Sequence, residues 1–152
     1  MDDSKYGEIL LTVQARIRRL GLRGMSSTSI VVFKVPTDRG KDMPSLPAIL
    51  VAPFGRKRNV PITNLSQDIT YPVLIVGLQA GNQEQSTNFD RPIRWLEIIE
   101  REFCANRLQE ITSVWNCEVS PMETFDRSAF DRNLDAAGTI LNFVSREKRR
   151  PQ

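Results

Sequence analysis

Near the start of the chain, Ile9, Leu10, Val13, Ile17 and Leu20 recur at the spacing of one helical face, with polar residues between them. Asp2, Asp3 or Ser4 supplies an N-cap, and Arg16, Arg18 and Arg19 suit the negative end of the helix dipole. Gly21 or Gly24 ends the helix. The pattern then changes to short β-branched runs. SIVVFKVP (29–36) and PAILVAP (47–53) predict strands, separated by the turn-rich TDRGKDMPS. ITYPVLIVGLQ (69–79) is the most apolar run. Its unbroken Val73, Leu74, Ile75 and Val76 predict a central strand buried on both faces, with Pro72 near its start.

A second helical period runs through NFDRPIRWLEIIEREFCANRL. Trp95, Leu96, Ile99 and Phe103 form its apolar stripe, Asn88 or Asp90 caps it, and Pro92 fits the first turn. Glu97 and Arg101 lie one turn apart and are expected to pair. ITSVWNCEVSP alternates, with Val114, Asn116 and Glu118 on one face and Trp115, Cys117 and Val119 on the other. After the connector METFDRSAFDRN, LDAAGTILNFVSRE is the last strand, where Thr139, Leu141 and Phe143 alternate with Ile140, Asn142 and Val144. That alternation continues through Ser145, Arg146 and Glu147. The basic ending NFVSREKRRPQ therefore starts inside a sheet, and only Lys148 onward is expected to be free. The order α-β-β-β-α-β-β predicts an α+β fold: one domain over residues 1–150, a mixed and mainly antiparallel sheet with two principal helices packed on it.

Composition narrows the chemistry. Among 152 residues there is no histidine, which removes the commonest general base and metal ligand, and only two cysteines, Cys104 and Cys117. These read as reduced, mostly buried thiols. No glycine-rich phosphate cradle is present. The carboxylate pairs Asp126 with Asp131 and Glu97 with Glu100 read as capping and surface solvation. The expectation is a protein that is not an enzyme and holds no cofactor and no metal. No apolar run approaches the roughly 20 residues needed to cross a bilayer, and the opening MDDSKYGE is unlike a signal peptide. A protein of the cytoplasm with no membrane partner is expected.

The net charge is +3, with 21 Lys and Arg facing 18 Asp and Glu, but the cations are patterned. They cluster at Arg16, Arg18, Arg19 and Arg23, at Arg56, Lys57 and Arg58, and at Arg146, Lys148, Arg149 and Arg150. Such clusters suit phosphates or the acids of a neighbouring protein. Aromatic residues do not interleave with them as a single-strand platform requires, so a small basic nucleic-acid-binding module without sequence preference is the second reading. The long polar segments 37–45, 54–68 and 79–88 point instead to contacts with partners.

The second half of the chain carries a resemblance. YPVLIVGLQAGNQEQSTNFDRPIRWLEIIEREF resembles the strand, polar loop and helix of tail-terminator (tail-completion, head–tail joining) proteins of long-tailed bacteriophages. VWNCEVSPMETFDRSAFDRNLDAAGTILNFVSREKR resembles their closing strands, with Pro121 at a strand end, the connector FDRSAF and the exit SREKR. The likeness covers about residues 69–150. It implies a structural virion protein of the tail or neck, assembled in the host cytoplasm. Such a protein forms a ring with copies of itself, usually sixfold, caps the tail-tube protein, ends tube growth and meets a head-completion or connector protein. Transient, non-specific contact with passing DNA fits the same place. Arg16, Arg19, Arg56, Lys57, Arg58, Arg146, Lys148, Arg149 and Arg150 then become candidates for an interface or lumen. Gln83, Glu84 and Gln85 of the polar loop QAGNQEQSTN become candidates for ordering on docking.

Overall fold

The structure, a computed structural model, describes residues 4–32, 46–55, 57–80, 91–120 and 134–149. The first helix, α1 (Lys5–Arg19), begins where the Ser4 hydroxyl accepts a hydrogen bond from the Gly7 N–H at 3.0 Å. Its buried stripe is Ile9, Leu10, Val13 and Ile17, joined unexpectedly by Arg16. Gly21, at φ +61°, lets the chain turn away after Leu20. The remaining elements are β1 (Ile30–Val32), β2 (Ala48–Pro53), β3 (Arg58–Pro61), β4 (Ser66–Ala80), α2 (Arg91–Asn106), β5 (Val114–Ser120) and β6 (Leu134–Lys148). The predicted α+β order is the observed one, and the connection 54–68 holds the short β3 in addition. Of the expected strand 29–36, residues 33–36 lie outside the described residues, as do the caps Asn88 and Asp90 and the connector around Asp126 and Asp131.

The sheet runs β1-β2-β4-β6-β5, with β3 also on β4, and only the β1–β2 pairing is parallel. β4 is central, as its continuous apolar run predicts. It pairs with β6 from Ser66↔Lys148 to Ala80↔Leu134, and with β2 and then β3 along its other side. Pro72 sits in the middle of β4 rather than near its start. Its carbonyl accepts from the Phe54 N–H, so its missing donor points at the interruption between β2 and β3, where no strand requires it.

One face of the sheet carries the main core. Ile49, Val51, Val73, Ile75, Leu141 and Phe143 meet Ile9, Val13 and Ile17 of α1 and Trp95, Ile99 and Phe103 of α2. Gly77 lies where a Cβ would come within 3.3 Å of the Trp95 ring, so its bareness lets α2 settle onto β4. The indole N–H of Trp95 donates to the Arg23 carbonyl at 3.1 Å and ties α2 to the chain leaving α1. A smaller apolar cluster of Leu50, Leu78 and Ala136, with Val31 and Val76 against it, forms on the opposite face.

The predicted alternation of β6 is observed: Thr139, Leu141, Phe143 and Ser145 are all buried. That of β5 is corrected. A bulge between Val114 and Asn116 opposes one extra residue to β6, so Val114, registered with Ser145, shares the face of Cys117 and Val119. The freed Trp115 is 41% exposed. Glu97 and Arg101 form no ion pair with each other or with any described residue.

Candidate interaction surfaces

The most exposed large apolar residue among those described, Leu65, lies at one end of the β4–β6 pair. β2 and β3 run along β4 as one interrupted strand, broken at 54–57, where Gly55 adopts φ +71°. The hairpin then turns at Ile62–Ser66. The Thr63 hydroxyl accepts from the N–H groups of Leu65 and Ser66 at 3.1 and 3.0 Å, a local side-chain bond that shapes the turn. All four residues of β3 are exposed. Val60, Ile62 and Leu65 stand open at this tip, Leu65 to 79%. The chain's last described residues bind the same tip: the Arg149 N–H donates to the Leu65 carbonyl at 2.9 Å, and its guanidinium donates to the Thr63 carbonyl at 3.1 Å. The result is a three-stranded arm, apolar at its end and rimmed by the exposed cations Arg58 and Lys148.

The basic clusters divide between surface and interior. Arg16 is only 7% exposed: its guanidinium donates to both Glu110 carboxylate oxygens and to the Arg107 carbonyl, and lies 5.1 Å from the centre of the Phe103 ring. That placement corrects its candidacy for an interface or lumen, because its charge is turned inward and already paired. Arg19 is exposed and joins the same carboxylate at 3.1 Å. Burial pushes the Glu110 carboxyl upward, but its own backbone N–H and the two guanidinium groups outweigh that and hold it below the usual range. Lys57 is exposed, with its ammonium 6.0 Å from the centre of the Tyr71 ring. The Tyr71 hydroxyl donates to Glu147 at 2.7 Å, and burial followed by that carboxylate raises its pKa.

Arg146 forks onto Asp68, its cross-strand neighbour, at 2.9 and 3.2 Å, with its guanidinium 5.3 Å from the Trp115 ring centre. The Arg146 hydrogen bond holds the Asp68 carboxyl below its ordinary value. Contrary to the expectation of a free end, Lys148 is paired in the sheet with Ser66 and Arg149 is bound to the hairpin tip. Arg56, Gln83, Glu84, Gln85 and Arg150 lie outside the described residues. The cysteines divide: Cys117 is buried, which pushes its thiol up to about 12, whereas Cys104 is exposed, correcting the expectation of a mostly buried pair.

Two further surfaces flank α2. A cavity of about 550 Å³ is bounded, among the described residues, by Arg23, Arg91, Arg94, Trp95 and Ile98. A shallower groove of about 350 Å³ is bounded by Glu97, Glu100, Arg101, Cys104 and Val119. Pattern reading missed the arm because β3 buries nothing, and missed the cavity because its arginines come from distant segments. The alternating Asn59-Val60-Pro61-Ile62 was the available signal for the first. The like charges three apart at Arg91 and Arg94, and again at Glu97 and Glu100, were the signal for the second. Among the described residues no group of three His, Cys, Asp or Glu side chains is gathered for a metal, and no helix is long and apolar enough to cross a membrane. The chain matches no family model and no curated protein.

Proposed function

We propose that this chain is a structural assembly protein of a long-tailed phage or prophage. In this reading it is a tail terminator or neck protein that caps the tail tube as a ring and acts through protein–protein contacts. The observation that carries the reading is the arm: a hairpin braced by β6 that presents Val60, Ile62 and Leu65 to solvent with cations around them. Exposed apolar side chains grouped at a rigid tip mark a contact surface, since nothing in the isolated fold requires them there. The α+β layout and the likeness of residues 69–150 to tail-completion proteins support the same reading. Its partners are further copies of itself, the tail-tube protein and a head-completion or connector protein.

The test is electron microscopy of particles made after deletion of the gene from its phage or prophage. Overlong tails, or filled heads separated from tails, are expected. Normal infectious particles would overturn the reading.

A further inference from the structure

The two flanks of α2 differ in net charge, three arginines bounding one and two glutamates with one arginine bounding the other. At about 100° per residue, Arg91, Arg94 and Ile98 fall toward one side of its exposed surface and Glu97, Glu100 and Cys104 toward the other, with Arg101 next to Glu97 at the edge of the same groove. On the first side Arg23 arrives from the chain after α1, and the three arginines bound the cavity with Trp95 and Ile98. Gly24, at φ +82°, lies 3.4 Å (from its Cβ position) from the Arg91 guanidinium, which leaves that side chain room beside the chain leaving α1. No acid bounds this cavity among the described residues. Among the described residues, neither Arg23 nor Arg91 has an ion-pair partner, and neither do Glu97 and Glu100 on the opposite flank. Each surface also has an apolar residue open beside its charges, Ile98 at 43% and Val119 at 39% exposure. An intrahelical arrangement would have spaced opposite charges four apart and paired them. Glu97 and Arg101 have that spacing but do not pair with each other, and the groove they share with Glu100 keeps a net negative charge.

We infer that the arginine-lined cavity of one copy receives the Glu97 and Glu100 flank of a second copy, in a head-to-tail contact. This rests on the assembly reading and names the surface through which that assembly closes. Guanidinium groups match carboxylates in a fork of two hydrogen bonds, and the contact buries Ile98 of one subunit and Val119 of the next along with them. Charge complementarity within a single sequence selects another copy as the occupant. Because the two surfaces lie on different flanks, each copy can use both at once. A contact of that kind continues from subunit to subunit and ends only by closing into a ring.

The experiment reverses the charges in two full-length variants, R91E/R94E and E97R/E100R, and follows assembly by native mass spectrometry and sedimentation, alone and on polymerised tail-tube protein. Circular dichroism and thermal unfolding confirm that each variant is folded. Each variant alone should need about tenfold or more protein to assemble to the wild-type extent. An equal mixture should recover assembly, because the reversed cavity of one then meets the reversed flank of the other. Wild-type rings that neither reversal weakens, or weakening without recovery in the mixture, would overturn this contact and leave the assembly reading standing. A wild type that stays monomeric in solution and on tube ends would overturn both.

Discussion

Arg16 shows how far one residue's role depends on what surrounds it. In sequence it is one of three arginines in a last helical turn. In the fold it points inward, bridging α1 to Glu110 and to the Arg107 carbonyl after α2. Truncating it leaves the Arg107 carbonyl without this donor and the Glu110 carboxylate with only the exposed Arg19, so Arg16→Ala is expected to lower stability by about 2–3 kcal/mol in denaturant unfolding. Arg19→Ala removes only the exposed partner of the same carboxylate and should change stability by about 0.5 kcal/mol or less. The two depressed carboxyls give a signed pH dependence. Asp68 and Glu110 are held below their ordinary values of 3.8 and 4.5, so the folded chain binds fewer protons at these sites than the unfolded one. Their stabilisation is complete above those values and is lost as pH falls through and below them, from about 5 toward 3. In urea titrations across that window, Asp68→Asn and Glu110→Gln should each flatten the acid side of the stability profile. A profile as steep as the wild type's in both variants would show that other groups govern it.

At the scale of elements, α2 ends on a conformation that its sequence does not favour. Arg107 takes φ +52°, with its N–H bonded to the Phe103 carbonyl, in the place where a glycine usually terminates a helix. Arg107→Gly keeps the backbone carbonyl that receives Arg16 and removes the Cβ strain. It should raise the unfolding free energy by about 0.5–1 kcal/mol, after the extra freedom of glycine in the unfolded chain is counted. The arm gives the opposite kind of variant. Leu65→Asp alters a side chain that is 79% exposed and should leave the melting temperature within a few degrees of the wild type. If the proposed assembly role holds, it should reduce the yield of particles with joined heads and tails in the phage, scored by electron microscopy and plaque counts. Both helices and the long strands were legible because each repeats with its own period: Trp95, Leu96, Ile99 and Phe103 for α2, Thr139 to Phe143 for β6. What was not legible involves departures from one residue per ladder step. The bulge at Trp115 reverses the face of Val114, and the four-residue break after Pro53 hides β3. The cavity beside α2 depends on tertiary placement alone, since Arg23 and Arg91 are far apart in sequence.

Across the whole molecule the charge balance separates the two functional readings. Of the three basic clusters, Arg16 and Arg19 are engaged by Glu110, Arg146 by Asp68, and Arg149 by the hairpin carbonyls. Groups already neutralised by neighbouring acids release few counterions when they meet phosphate, so they contribute little to binding DNA. Among the described residues of the arm, Lys57, Arg58, Lys148 and Arg149 remain exposed and free of ion pairs with other described residues, Arg149 being held by carbonyls that leave its charge in place. About four phosphate contacts imply a slope of about −3.5 when the logarithm of the binding constant is plotted against the logarithm of salt, and weak binding at physiological ionic strength. Fluorescence anisotropy with duplexes of unrelated sequence measures this directly, and Lys57→Ala with Arg58→Ala should make the slope shallower by about two. That outcome fits an assembly protein whose cations touch DNA only in passing. A slope of about −6 or steeper, with tight binding retained at physiological salt, would require a far wider phosphate-binding surface than the arm provides. In that case the basic module becomes the better reading, and the apolar tip would then have to be explained as something other than a docking surface.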